Sequence, residues 1–271
     1  MNLSFPLSDG LPIHARQWNT EAATPQGVVL IVHGLGEHIE RYDDWARHLN
    51  ERGYHVLGSD HRGHGKSGGK RGHADRFELF LEEIDKLREL AGNQFPKLPI
   101  VLYGHSLGGN IVLNYVLDRG GAGLEKVVVT SPYIRAAQPE PALKLRAGRL
   151  LKGIVPKFSL PNGLPSDKVA TDPEVVHAYQ TDPLVHDRVS AAMGVDMVDA
   201  ARRLDAYTGE FPVPLLLMHA GDDALTGTQG SIDFAERVGG PITLKIWDGM
   251  YHEIHHDLRR REVFEYLIEW L

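Results

Sequence analysis

In the stretch YGHSLGG, residues 103–109, Gly104, Ser106 and Gly108 fall in the spacing G-x-S-x-G. A β-branched run ends just before it and a helical pattern begins just after, the context in which this spacing forms a nucleophile elbow. The serine of such an elbow sits on a strained strand-to-helix turn, and the flanking glycines let strand and helix close on one another. Its oxygen is then held above the sheet at a helix N-terminus, which favours negative charge. A serine hydroxyl is a weak nucleophile without a base, and the base needs a group that orients it. In this architecture those groups follow in the order serine, acid, histidine. Asp222 and Asp223 come after the run PLLLMH and His252 comes just after ITLKIWD, so the order is met and either aspartate can serve. A tetrahedral intermediate also needs N–H donors for its oxyanion. The Leu107 amide, next after the serine, is one candidate. The Leu35 amide, turned toward the site by Gly34 and Gly36 of HGLGEH, is the other.

Two other motifs compete. His252, Glu253 and His256 fit H-E-x-x-H, which on a helix presents two imidazoles to a zinc ion. The stretch DGMYH reads instead as a turn after a strand, and only residues 257–271 remain to supply a third ligand. Asp257, Glu262, Glu265 and Glu269 there read as the polar face of a terminal helix. No metal or organic cofactor is expected, and His255 and His256 are expected at the surface near the site's mouth. GHGKSGG, residues 63–69, falls short of a phosphate-binding loop because Asp60 stands where the first glycine is required. His33, His61, His64 and His105 lie in loop motifs and are expected to bond nearby backbone.

These groups need a frame. Strand-like runs at 11–18, 27–33, 54–60, 99–105, 126–132, 213–219 and 242–248 alternate with helical patterns at 41–52, 75–92, 107–118, 228–238 and 257–270. The alternation implies an α/β fold with a mostly parallel sheet covered on both faces. Residues 135–207 hold no buried-strand run and read as a helical cap inserted between core segments 1–134 and 208–271. Within 141–156, Leu143, Ala147, Leu150, Leu151 and Ile154 share one stripe, expected to be buried, while Lys144, Arg149 and Lys152 face away. Such a basic face is usually only solvated, though it also suits transient contact with an anionic lipid surface.

Composition sets the outer bounds. The 271 residues are 42% hydrophobic with a net charge of −7, so no basic excess points to nucleic acid. The absence of cysteine removes disulfides, thiolate metal sites and a cysteine nucleophile. No apolar run approaches the roughly 20 residues of a membrane span. The N-terminus lacks the pattern of a signal peptide. A soluble, cytoplasmic protein is expected, at most peripheral to a membrane; its oligomeric state is not encoded.

The stretches HGLGEHIERYDDWARHL, DHRGHGKSGGKRGH, GHSLGGNI, TDPLVH and LKIWDGMYHEIHHD together resemble the monoacylglycerol lipase and lysophospholipase branch of the serine α/β-hydrolases, from about residue 26 to the C-terminus. The resemblance implies an eight-stranded sheet with a helical cap after the sixth core strand. In that family the acid is followed by any residue and then an aliphatic one, which selects Asp223 of DAL over Asp222. The histidine follows an aromatic, which matches His252. The resemblance therefore implies a carboxylic-ester hydrolase with Ser106, Asp223 and His252 as the triad and Leu35 and Leu107 as the oxyanion hole. Its substrate would be a monoacylglycerol or lysolipid whose acyl chain lies under the cap. The same machinery would serve short-chain esters, thioesters or, as in related aminopeptidases, a peptide bond. A dehalogenase or epoxide hydrolase would need aspartate where Ser106 stands. A catalytically silent, ligand-binding homologue usually lacks a triad member, and here all three are present.

Overall fold

The computed structural model describes residues 1–139 and 141–271. In chain order its elements are β1 (Asn2–Pro6), β2 (Pro12–Trp18), β3 (Gly27–Val32), α1 (Asp43–Glu51), β4 (Tyr54–Ser59), α2 (Glu78–Gln94), β5 (Ile100–His105), α3 (Leu107–Arg119) and β6 (Lys126–Thr130). There follow α4 (Ala142–Ile154), β7 (Ser159–Pro161), α5 (Pro173–Thr181), β8 (Arg188–Ser190), α6 (Ala191–Ala206), β9 (Leu215–Ala220), α7 (Thr228–Arg237), β10 (Ile242–Trp247) and α8 (Arg260–Trp270).

Eight strands form one sheet in the order β1-β2-β4-β3-β5-β6-β9-β10. From β4 to β10 all pairs are parallel, and β1 and β2 join antiparallel at one edge. The expected mostly parallel, eight-stranded sheet is thus borne out, and the order is that of an α/β-hydrolase. β3 and β9 are buried along their whole length, which is why their sequences run without polar alternation. Period-two geometry still sorts their side chains. Val28, Leu30, Val32, Leu215 and Leu217 pack with α2 and α3 on one face. Val29, Ile31, Leu216 and Met218 pack with α1 and α8 on the other. β1, with every residue at least partly exposed, has no such apolar run and was not foreseen.

The stretch between β6 and β9 carries α4, α5, α6 and the short β7–β8 pair. Two of its helices start on side-chain caps that hide among polar residues. Asp172 accepts from the Glu174 amide ahead of α5, and Ser190 accepts from the Met193 amide ahead of α6.

α4 lies where the sequence placed it, but its expected stripe is split: Ala147 and Leu151 line the cavity beneath, whereas the rest of the stripe points outward. Leu143, Leu150 and Ile154 are 79%, 66% and 68% exposed, and the helix buries no residue fully. Arg149 and Lys152, expected to face solvent, pair with Asp199 and Asp196 of α6. The five residues do not act as one face, and Lys144, expected to face away, also lines the cavity. Arg149 and Lys152 tie the helix to α6, with the cavity beneath Ala147 and Leu151. No helix among the described residues is long and apolar enough to cross a membrane.

Candidate active site

Ser106 stands between the last residue of β5 and the first of α3. Its backbone sits at φ 55°, ψ −117°, a conformation that L-residues rarely adopt and that costs about 1–3 kcal/mol. Neighbouring backbone holds it there. The Ser106 N–H donates to Thr130 O at 3.0 Å, and Ser106 O accepts from Asn110 and Tyr133 at 3.1 and 3.0 Å. The glycines are needed for space. A Cβ on Gly104 would meet the Gly108 carbonyl, and one on Gly108 would overlap the carbonyls of Val32 and His33.

His252 lies on the loop after β10, and its Nδ1 is 2.7 Å from Asp223 Oδ2 on the loop after β9. Nδ1 therefore carries the proton, which leaves Nε2 as a free base. Ser131 Oγ donates to His252 O at 2.8 Å and fixes the loop. The Asp223 side chain is wholly buried and fully used. Oδ1 accepts from the Leu225 and Thr226 amides at 2.8 and 3.0 Å, and Oδ2 also accepts from Thr226 Oγ1 at 2.8 Å. Burial opposes the charge on Asp223, but His252 and the hydrogen bonds from His219 and His252 hold its carboxyl well below the usual range. Burial likewise pushes the His252 imidazole down, yet the Asp223 charge and hydrogen bond leave it above its ordinary value. Asp222, the rival acid, is exposed. No hydrogen bond joins Ser106 Oγ to His252 among the described residues; in unliganded sites such bonds are often long and tighten when substrate arrives.

The loop after β3 lies against the elbow. Gly34 packs so close that a Cβ there would be 3.1 Å from Ser106 Cβ. The Gly34 amide is spent on Glu37 Oε1 at 2.5 Å. The Leu35 and Leu107 amides donate to no protein acceptor among the described residues. Glu37 continues into a buried ionic cluster: Arg41 bonds Glu37 at 3.0 Å and grips both oxygens of Glu253 at 2.6 and 2.7 Å.

A cavity of about 310 Å³ opens on Ser106. Leu35, Leu107 and Thr226 line it, together with Leu145 and Leu151 of α4 and Val195 of α6. Most of its lining is apolar, as in sites for small organic ligands. A second cavity, about 470 Å³, lies between α1 and α8 and is lined by none of these residues.

The competing motifs resolve differently from one another. Residues 252–256 are not helical, so their imidazoles share no helix face. Glu253 serves Arg41 instead. His255, expected at the surface, is only 1% exposed. It stacks on Tyr42 with ring centroids 5.0 Å apart and meets His105 edge-on at 4.6 Å, because the turn folds it inward over α1. His256 is half-buried and bonds Glu253 and Arg41 O at 2.9 Å each. His33, His61 and His64 do bond nearby carbonyls, at 2.8, 3.0 and 3.0 Å, whereas His105 bonds the Thr130 hydroxyl. Asp60 turns the GHGKSGG loop by accepting from the Ile39 and Lys66 amides at 2.8 and 2.7 Å.

A family model described as serine aminopeptidase, S33, matches residues 23–259. An abhydrolase domain-containing protein of Dictyostelium discoideum is 36% identical over 97% of this chain, which spans only 28% of that protein. The monoacylglycerol lipase of Mycolicibacterium smegmatis is 32% identical over 99% of this chain and 95% of its own. The crystal structure of Paleococcus ferrophilus monoacylglycerol lipase superposes with a TM-score of 0.87 at 34% identity, covering 95% of this chain and 97% of the other.

Proposed function

The chain belongs to the serine aminopeptidase S33 family, and from that premise we propose that it is a serine hydrolase of carboxylic esters whose substrate is a monoacylglycerol or a similar one-chain lipid. The observation that carries this reading is the apolar cavity opening on a strained serine beside a buried aspartate–histidine pair. The relatives named as monoacylglycerol lipases match nearly full length.

In the proposed mechanism Ser106 Oγ attacks the ester carbonyl while His252 Nε2 takes its proton. Asp223 orients the imidazole and stabilises the imidazolium. The Leu35 and Leu107 amides hold the oxyanion, each worth about 3–4 kcal/mol of transition-state stabilisation. His252 then protonates the departing alcohol, and water releases the fatty acid by the same route. Residues 135–207 act as the cap, with the acyl chain against Leu145, Leu151 and Val195. The outward Leu143, Leu150 and Ile154 give that cap an apolar surface suited to transient contact with lipid.

The test is fatty-acid release from a long-chain monoacylglycerol and a matched short-chain ester, by wild type and Ser106→Ala. Faster cleavage of the long chain, with Ser106→Ala inert on both, is the expected result. Cleavage of the short ester alone would reduce the reading to a general carboxylesterase. Activity surviving in Ser106→Ala would remove the serine mechanism.

A further inference from the structure

Asp223 has a second imidazole against it besides that of His252. His219 Nε2 lies 3.2 Å from Asp223 Oδ2, the same oxygen that binds His252. His219 sits on β9, four residues before Asp223, in a strand whose other side chains are all apolar, and it is completely buried. An imidazole in that place is costly unless its nitrogens are bonded. Its second nitrogen, Nδ1, is 2.7 Å from Ser231 Oγ on α7. These two contacts settle the tautomer. If Nδ1 carried the proton, a bare Nε2 would face a carboxylate oxygen, two acceptors without a proton between them. With Ser231 donating to Nδ1, Nε2 carries the proton and faces two acceptors, Asp223 Oδ2 at 3.2 Å and Thr226 O at 3.4 Å. The Thr226 hydroxyl, 3.3 Å from Nε2, has a nearer acceptor in Asp223 Oδ2 at 2.8 Å.

We propose that His219 is a positioning residue of the hydrolytic site: locked by Ser231, it holds Asp223 Oδ2 toward His252 and moderates how strongly that oxygen retains the His252 proton. The inference rests on the proposed triad. Two imidazole N–H groups share one oxygen, so withdrawing the His219 donor makes Asp223 a stronger acceptor for His252. His252 then keeps its proton to higher pH, and the carboxylate loses one of the contacts that orient it. The other charged or titratable groups near the pair are His105 at the end of β5, Glu253 on the His252 loop and Glu37 after β3, with Arg41 bridging the two glutamates. None of them contacts His219 by a hydrogen bond or ion pair.

The experiment compares wild type, His219→Phe, His219→Gln, Ser231→Ala and the His219→Phe/Ser231→Ala pair on a soluble short-chain ester across pH. Active sites are counted with an organophosphorus probe, and Ser106→Ala is carried alongside. His219→Phe should lower kcat about tenfold at nearly constant KM, the scale of one hydrogen bond to a charged group. It should also move the acid limb of kcat/KM to higher pH. His219→Gln, which retains an N–H, should restore much of both. Ser231→Ala should shift the limb in the same direction by less, and the double variant should be no worse than His219→Phe because the two act in series. An unmoved acid limb in His219→Phe, or losses that multiply in the double variant, would overturn the proposal. If His219→Phe does not fold, Ser231→Ala decides: a limb identical to wild type overturns it. Full activity in Ser106→Ala would instead refute the triad itself, so the two failures are distinct.

Discussion

Asp223 is the buried charge in direct contact with His252. Its carboxylate is buried, accepts two side-chain and two backbone hydrogen bonds with His219 Nε2 a further 3.2 Å contact, and raises the basicity of His252 against the effect of burial. Asp223→Asn keeps the shape and removes the charge. In serine hydrolases such a change costs on the order of 10⁴ in kcat, because the histidine no longer holds the tautomer that leaves Nε2 free. The sign of the pH effect is fixed as well. His252 must be neutral to act, and Asp223 holds its imidazole above the ordinary 6.5, so the wild-type acid limb should fall above pH 6.5. In Asp223→Asn burial meets less opposition and the limb should move down. A pH–rate profile on both proteins checks this, and a limb that stays in place would break the link between the two residues. Sequence distinguished Asp223 from its neighbour only through the family resemblance, since both follow the same strand. His219 escaped notice because a histidine inside an apolar run carries no local sign of its partners; Ser231 lies twelve residues on and on another element. His255 was misplaced for a related reason, as the fold of a turn decides which of two adjacent histidines faces inward.

At the scale of elements, what a short segment imposes on itself was legible and what a neighbour imposes was not. The elbow was readable because glycine spacing, strand and helix all lie within a few residues of Ser106. The α4 stripe was also readable, but a helical wheel does not state which side the rest of the protein occupies. That side proved to carry Lys152 and Arg149 together with Ala147 and Leu151 from one edge of the stripe, so Leu143, Leu150 and Ile154 point outward. α5 and α6 were missed, although Asp172 followed by Pro173 is a helix-start signal, as is Ser190 before Ala191. The exposed face leads to a prediction. Leu150→Glu with Ile154→Glu alters side chains that bury little, so stability should change by no more than about 0.5 kcal/mol. Partition onto lipid vesicles in a flotation assay should fall, and long-chain hydrolysis from those vesicles with it, while cleavage of a soluble ester is retained. Equal flotation of variant and wild type would exclude α4 as the contact.

Across the whole molecule, Arg41 is where three distant stretches meet. It pairs with Glu37 after β3 and Glu253 after β10, and its guanidinium lies 4.8 Å from the ring centre of Tyr179 on α5. Backbone bonds run in parallel: His186 N donates to Gly36 O at 2.8 Å, and Glu253 N donates to Val169 O at 2.7 Å. The loop bearing Leu35, the loop bearing His252 and the stretch between β6 and β9 are thereby tied to one buried cation, an arrangement no single motif announces. Its energetics follow from burial. Burial pushes the Glu253 carboxyl up, and Arg41 and His256 more than reverse this, holding it well below its ordinary range. A depressed carboxylate contributes stability that is present above its unfolded value, near 4.5, and is lost as pH falls through the folded one. Arg41→Met leaves Glu253 buried without its main partner, which should cost about 3–5 kcal/mol at neutral pH. The variant's Glu253 then prefers to be protonated, so its stability rises as pH falls while that of the wild type declines. Urea unfolding of both proteins between neutral pH and pH 4 should show the gap narrowing toward acid. A gap that stays constant would mean that the loss is one of packing against Tyr179 rather than of charge.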